Sequence, residues 1–80
     1  MKIKIRRREF NVGTKDRILD NGHCYMLITQ KCFDNYYWVS PTVPKTLFNK
    51  FLKNGDIQMS KKKYKTGYSE EMDLYEFTHD

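Results

Sequence analysis

The chain has 80 residues, of which 39% are apolar and 15% aromatic. This composition is typical of one small globular domain spanning residues 1–80 and excludes a disordered chain. No apolar run reaches the roughly 18–20 residues of a membrane span, and residues 1–8 are too polar for a signal peptide, so we expect a cytoplasmic domain without membrane contact.

The net charge of +5 is unevenly distributed along the chain. All fifteen Lys and Arg residues lie within residues 1–68, together with five acids. Residues 69–80 contain the other five acids and no Lys or Arg, and they form an acidic C-terminal segment. A basic body of this kind points to a polyanionic partner, although charge also serves solubility.

The first element predicted from the sequence is a half-buried strand over residues 2–10. Ile3 and Ile5 alternate with Lys2, Lys4 and Arg6, which is the period of a strand with one buried face. The alternation fails near residues 7–8, where we expect a bulge or the end of the strand. Its cations suit the edge of a sheet, where charge discourages unwanted pairing.

A β-hairpin is predicted around Asn21 and Gly22, which lie between apolar segments. This dipeptide favours a two-residue turn in which both positions have positive φ. Residues 24–28 are continuously apolar and indicate the central strand, covered on both faces. Residues 36–39 predict a short aromatic strand.

One amphipathic helix is predicted over about residues 43–53. Thr42 is the expected N-cap, Pro44 falls in the first turn, and Gly55 is the expected left-handed cap. One half of the helical wheel is apolar and carries Val43, Leu47, Phe48, Phe51 and Leu52. The other half is polar and carries Lys45, Lys50 and Lys53.

The C-terminal third of the chain predicts two further strands. Residues 56–65 place Ile57 and Met59 inward. Because lysines follow, this strand must leave the core after Met59 or carry a bulge. Residues 72–78 alternate again and predict a final strand. The fold class is therefore α+β: a small antiparallel meander of four to five strands with the helix packed on one face. A small SH3-like barrel is the alternative.

No motif for metal binding or covalent catalysis is present. His23, Cys24, Cys32 and His79 do not have the spacing of a zinc site, so we expect neither a metal nor a cofactor. Nucleophile motifs and Gly-rich phosphate loops are also absent. The expected activity is non-enzymatic. A metal-independent ribonuclease remains an alternative, with His23 and His79 as acid and base and lysines near the phosphate.

Clustered cations and aromatic residues are the strongest functional pattern. Lys and Arg bind phosphates, and aromatic rings stack on bases. The pattern predicts a module that binds nucleic acid or a nucleotide, unless the aromatic residues belong to the core and the cations are only solvated. The candidate ligand-binding residues are Arg6, Arg7, Arg8, Tyr36, Tyr37, Trp38, Lys45, Lys50, Lys53, Lys61, Lys62, Lys63 and Tyr64.

A third hypothesis has a protein as the partner. Lys, Asn, Ile, Tyr, Phe and Met supply 36 of the 80 residues, which indicates AT-rich coding. Small proteins with such coding include phage and mobile-element accessory proteins that inhibit a host nucleic-acid-handling or defence protein, as anti-CRISPR proteins do. The basic surface would dock on an acidic patch, or the acidic segment would mimic nucleic acid. A homodimer is compatible with each hypothesis.

Overall fold

The computed structural model describes residues 1–29, 41–65 and 71–80. Their arrangement is α+β, as predicted, and the sheets do not close into a barrel, which excludes the SH3-like alternative. The predicted strand at residues 36–39 lies outside the described residues. The elements are β1 (Lys2–Ile5), β2 (Arg8–Asn11), β3 (Arg17–Asp20), β4 (Tyr25–Ile28), β5 (Thr42–Val43), α1 (Lys45–Asn54), β6 (Ile57–Met59), β7 (Tyr64–Lys65) and β8 (Glu71–Phe77).

The main sheet has the strand order β5-β4-β3-β8-β6, and all of its pairs are antiparallel. The C-terminal strand β8 lies between β3 and β6 and also pairs with β7. Residues 24–28 were predicted to form the central strand, but β3 occupies that position. The reason is topological, because β8 returns to pair with β3 and leaves β4 with only the two-residue β5 on its other side.

Two apolar clusters cover the two faces of this sheet. Alternation along β8 places Leu74 in one cluster and Phe77 in the other, as its sequence period predicts. The first cluster also receives the helix and the β1–β2 hairpin, and the second contains Leu19, Ile28 and Leu74. The buried members of the first cluster are Ile3, Ile5, Val12, Ile18, Leu27, Val43, Phe48, Phe51, Ile57 and Phe77.

The β1–β2 hairpin is a separate two-stranded sheet. The sequence predicted one strand over residues 2–10, but β1 ends at Ile5 and the chain reverses through Arg6 and Arg7. Arg6 has a φ of 59°, the left-handed conformation of a tight turn. The failed alternation at residues 7–8 therefore marks a reversal of direction rather than a bulge.

The predicted hairpin between β3 and β4 is confirmed, but its turn differs from the prediction. Four residues connect the strands, and only Gly22 has a positive φ, of 88°. The Asn21 Oδ1 accepts hydrogen bonds from the amides of His23 (2.9 Å) and Cys24 (2.8 Å). The Asp20 Oδ1 accepts one from the amide of Gly22 (2.9 Å). Side-chain acceptors thus replace the backbone geometry of a two-residue turn.

Helix α1 begins later than predicted. Thr42 is not its N-cap, because Thr42 belongs to β5 and pairs with Met26. Pro44 occupies the N-cap position without a side-chain hydrogen bond. The predicted left-handed cap is confirmed: Gly55 has a φ of 77°, and its amide bonds the Leu52 carbonyl at 3.3 Å.

Aromatic contacts fix the helix on the sheet. The Phe48 ring stacks on Tyr25 with centroids 3.7 Å apart and meets the edge of Tyr75 at 4.9 Å.

Two residues that were predicted to point inward, Leu52 and Met59, are 45% and 55% exposed. Leu52 is turned about 100° around the helix from the buried Phe51, and Met59 is the last residue of an edge strand.

Phe48 and Leu52 provide a matched pair for testing the helix packing. Phe48 is 2% exposed, so Phe48→Ala should lower the free energy of unfolding by about 3–5 kcal/mol because it empties a site in a small core. Leu52→Ala should cost less, about 1 kcal/mol, because Leu52 is already 45% exposed and its removal empties no site in the core. Urea unfolding of both variants measures this difference. Equal losses would contradict the helix orientation.

The C-terminal residue is bonded to the loop that precedes β3. The Asp80 carboxylate accepts hydrogen bonds from the Thr14 amide (2.9 Å) and the Thr14 hydroxyl (3.2 Å). These bonds, and to a smaller degree the N-terminal amine and Lys15, hold the pKa of Asp80 below its ordinary value. Since the carboxylate form is favoured in the folded state, the stabilisation is present above the ordinary pKa and disappears as pH falls through the folded-state pKa.

Asp80→Asn should therefore lower the melting temperature slightly at pH 7. Because Asp80 is fully exposed, we expect only a small change. The gap between variant and wild type should begin to close as pH falls through the ordinary carboxyl pKa of 3.8 and should vanish below the lower folded-state pKa, where both side chains are neutral. Melting curves at pH 7 and in acid measure the gap. A gap that persists or widens in acid would contradict this role of Asp80.

Candidate nucleic-acid interface

Three cations are grouped at the reversal of the β1–β2 hairpin. Arg6 and Arg7 form the turn, and Arg8 is the first residue of β2. All three are exposed. The Arg8 guanidinium carbon lies 5.2 Å from the centre of the Phe10 ring, a cation–π distance that restrains this side chain. The hairpin thus carries a cationic tip, defined as Arg6, Arg7 and Arg8.

The three helix lysines are exposed, as predicted. Lys45, Lys50 and Lys53 lie on α1 away from the buried Phe48 and Phe51. Lys45 also lines a small depression of about 140 Å³ with His23 and Cys24. These lysines occupy the solvent side of the helix because its apolar side is packed on the sheet.

The three lysines of the predicted cluster at residues 61–63 do not share one environment. Lys61 and Lys62 are exposed and line a cleft of about 420 Å³ beside the start of β3. The Lys63 ammonium instead lies 3.7 Å from the Asp73 carboxylate. The cleft also contains Arg17, which sequence reasoning missed as a site residue. Because Arg17 is more than 40 residues from these lysines in the sequence, only the pairing of β8 with β3 and β6 reveals that they are neighbours.

Arg17 is held in place within this cleft, which we call the basic cleft. Its guanidinium donates to the Asp16 carbonyl at 2.9 Å and lies 3.9 Å from the Glu76 carboxylate. The Gln58 amide donates to the same carboxylate at 2.7 Å. The lining therefore combines three cations with one acid. The full lining is Arg17, Gln58, Met59, Ser60, Lys61, Lys62 and Glu76.

Of the four aromatic residues predicted to stack on bases, the structure describes only Tyr64. Tyr36, Tyr37 and Trp38 lie outside the described residues. Tyr64 is half-buried and packs against the second apolar cluster, opposite Met72. Much of the Tyr64 ring is therefore buried by core packing, and less of it is exposed than the prediction of a stacking surface requires.

The tyrosines of the helix-covered face belong to the packing. Burial raises the pKa of Tyr75, and the negative charges of Asp20 and Asp73, together with Tyr25, raise it further. The Tyr75 phenol thus remains protonated at neutral pH. It is available as a hydrogen-bond donor, while its ring supports Phe48.

The two histidines lie at opposite ends of β3. His23 follows the end of that strand, whereas His79 follows the segment of β8 that pairs with its beginning. His79 does have an orienting partner, which the sequence did not reveal: its Nε2 is 3.0 Å from the Asp56 Oδ1. Because the β3 strand separates the two imidazoles, they do not form one acid–base pair.

Metal-ligand clusters and membrane-spanning helices are absent from residues 1–29, 41–65 and 71–80. No group of three or more His, Cys, Asp or Glu side chains there is arranged to hold a metal ion. None of the helices in that part of the chain is long and apolar enough to cross a membrane. Comparisons with protein-family models, curated proteins and solved structures found no match.

Glu76 gives a direct test of the basic cleft. It is the only acid in the lining, so Glu76→Gln should strengthen binding of single-stranded DNA about two- to fivefold at low salt. Glu71→Gln makes the same charge change at an exposed position outside the cleft and should have a smaller effect. Fluorescence anisotropy titrations measure both. Weaker binding by Glu76→Gln would exclude the cleft as a phosphate site.

Proposed function

We propose that this chain is a non-enzymatic domain that binds nucleic acid through its exposed lysines and arginines. The observation that carries the proposal is that few of the Lys and Arg side chains, but most of the acids, form ion pairs or hydrogen bonds within the fold. Among the described side chains, two of thirteen Lys and Arg residues, Arg17 and Lys63, form ion pairs. The other eleven are exposed, and none of them has a carboxylate of the described residues within ion-pair distance.

Unlike the Lys and Arg side chains, most of the described acids have a partner within the fold. Six of the eight described acids accept a hydrogen bond or form an ion pair within the fold; they are Asp16, Asp20, Asp56, Asp73, Glu76 and Asp80. Folding thus gives most of the described acids a partner, without changing the net charge of +5. Eleven Lys and Arg side chains but only two acids, Glu9 and Glu71, are left without an ion pair or hydrogen bond to the described residues.

The free cations contribute little to stability. An exposed ion pair is worth about 0–1 kcal/mol, and an unpaired exposed lysine contributes less. Contacts with nucleic-acid phosphates, by contrast, release condensed counterions and supply most of the affinity of non-specific binding. The same side chains therefore matter far more for a polyanionic partner than for the fold.

The arrangement of the acids also favours nucleic acid over the alternative protein partner. Mimicry of nucleic acid would use the acids of residues 69–80 as phosphate equivalents that have no partner within their own fold. Asp73, Glu76 and Asp80 are instead engaged with Lys63, Arg17 and Thr14. Docking of the basic surface on an acidic protein patch is the form of that alternative that these contacts leave open.

Salt dependence of binding tests the proposal. If Lys61 and Lys62 contact phosphates, the double change K61Q/K62Q should flatten the slope of log K against log salt by about 1.4 for single strands or 1.8 for duplexes. The melting temperature should change little, because both side chains are exposed. Anisotropy titrations from about 50 to 300 mM salt measure the slope.

K50Q/K53Q is the matched comparison on α1, because it removes the same charge from exposed positions. A flattening confined to one pair of lysines assigns the phosphate contacts to that surface. Absence of binding to single- and double-stranded DNA and RNA at low salt would contradict the proposal, and a basic surface that docks on protein would then be favoured.

A further inference from the structure

One face of the β1–β2 hairpin is polar and points away from the core. The register places Lys2 opposite Asn11 and Lys4 opposite Glu9, and all four side chains are exposed. The intervening residues of β1 are buried in the first apolar cluster. The hairpin is therefore a two-stranded ribbon whose inner face is supported by the core. We call Lys2, Lys4, Glu9 and Asn11 the outer ribbon face.

The chemistry of the outer ribbon face matches the edges of base pairs. In the major groove Lys donates to O6 and N7 of guanine, Asn pairs with N6 and N7 of adenine, and a carboxylate accepts from N4 of cytosine. No ion pair occupies any of these four side chains among the described residues. They are available to a ligand, although Lys4 and Glu9 are of opposite charge and directly cross-strand.

The dimensions favour duplex DNA over other nucleic acids. Alternate residues of a strand are about 6.6 Å apart, close to two base-pair steps of about 3.4 Å each. A two-stranded ribbon fits the roughly 12 Å width of the DNA major groove. The major groove of duplex RNA is too narrow for side chains to read, and a single strand has no groove to hold a ribbon.

The cationic tip supports the same placement. Arg6 has a φ of 59°, a conformation that Gly or Asn adopts more readily, so backbone stability does not explain an arginine there. Arg6 and Arg7 are exposed at the end of the ribbon. Guanidinium groups bind phosphates through paired hydrogen bonds, and phosphates line both edges of the groove.

We infer that the outer ribbon face lies in the major groove of duplex DNA, where its side chains read base edges while Arg6 and Arg7 contact phosphates. This inference rests on the proposed nucleic-acid binding. It adds the type of nucleic acid, the groove and the residues that determine sequence preference. None of these four residues belongs to the clusters that the sequence pattern singled out.

Selection of binding sites from a randomised duplex DNA pool by the full chain tests the inference. We expect the wild type to enrich a preferred sequence. Asn11→Ala removes a base contact without changing charge, so affinity for that sequence should fall about 5- to 150-fold, with the salt slope unchanged. Asn49→Ala, an exposed change on α1, is the matched control and should bind as the wild type does.

Arg7→Gln should behave differently, because it removes a phosphate contact. Binding should weaken equally for all duplex sequences, and the salt slope should flatten by about 0.9. If Asn11→Ala lowers the melting temperature, Lys4→Gln serves as a second variant of the outer ribbon face. We expect Lys4→Gln to change the preferred sequence as well.

Two results separate this inference from the proposal on which it rests. Salt-dependent binding without an enriched sequence, or with unchanged affinity in both variants of the outer ribbon face, would overturn the groove placement and leave nucleic-acid binding intact. A duplex RNA bound as tightly as duplex DNA would also overturn it. Absence of any nucleic-acid binding would overturn both.

Discussion

The antiparallel pairing of β8 with β3 is the constraint on which the rest of the structure depends. It joins the C-terminal strand to a strand near the N-terminus and places Leu19 opposite Leu74. Ile18, on the opposite face of β3, is fully buried in the first cluster. Since β8 also pairs with β6 and β7, the helix and the 61–63 segment are positioned through the same strand.

This pairing also determines how charge is distributed. The acidic C-terminal segment contains the longest strand of the described chain, and Asp73 and Glu76 lie beside Lys63 and Arg17. These two acids of β8 are thereby paired with cations of the fold. The cationic tip, the helix lysines and Lys61 and Lys62 of the basic cleft have no such partner among the described residues, and this separation is the physical basis of the proposed nucleic-acid binding.

Local periodicity predicted much of the fold. The alternation in β8, the hairpin at Gly22 and the left-handed cap at Gly55 are set by residues close in sequence, so the sequence alone predicted them. The order of the strands depends on contacts between distant segments. That order placed Thr42 in β5 instead of at the helix cap, and it left Met59 exposed at a sheet edge.

The candidate site was predicted less completely for a related reason. Runs of cations such as residues 6–8 and 61–63 are visible in the sequence, and their exposed members were found. Arg17 joins Lys61 and Lys62 only through tertiary structure. The outer ribbon face was missed because the reversal at Arg6 was not foreseen, and without that reversal Lys4 and Glu9 are not neighbours.

An NMR titration of the isotopically labelled chain with a short duplex DNA tests the central claim most directly, because it reports on each residue separately. We expect shift changes at residues 2–11 and 60–62 that diminish as salt is raised, while Ile18 and Leu74 in the core keep their shifts. Spectra that do not change at saturating DNA would contradict the account, as would changes confined to the acids of β8.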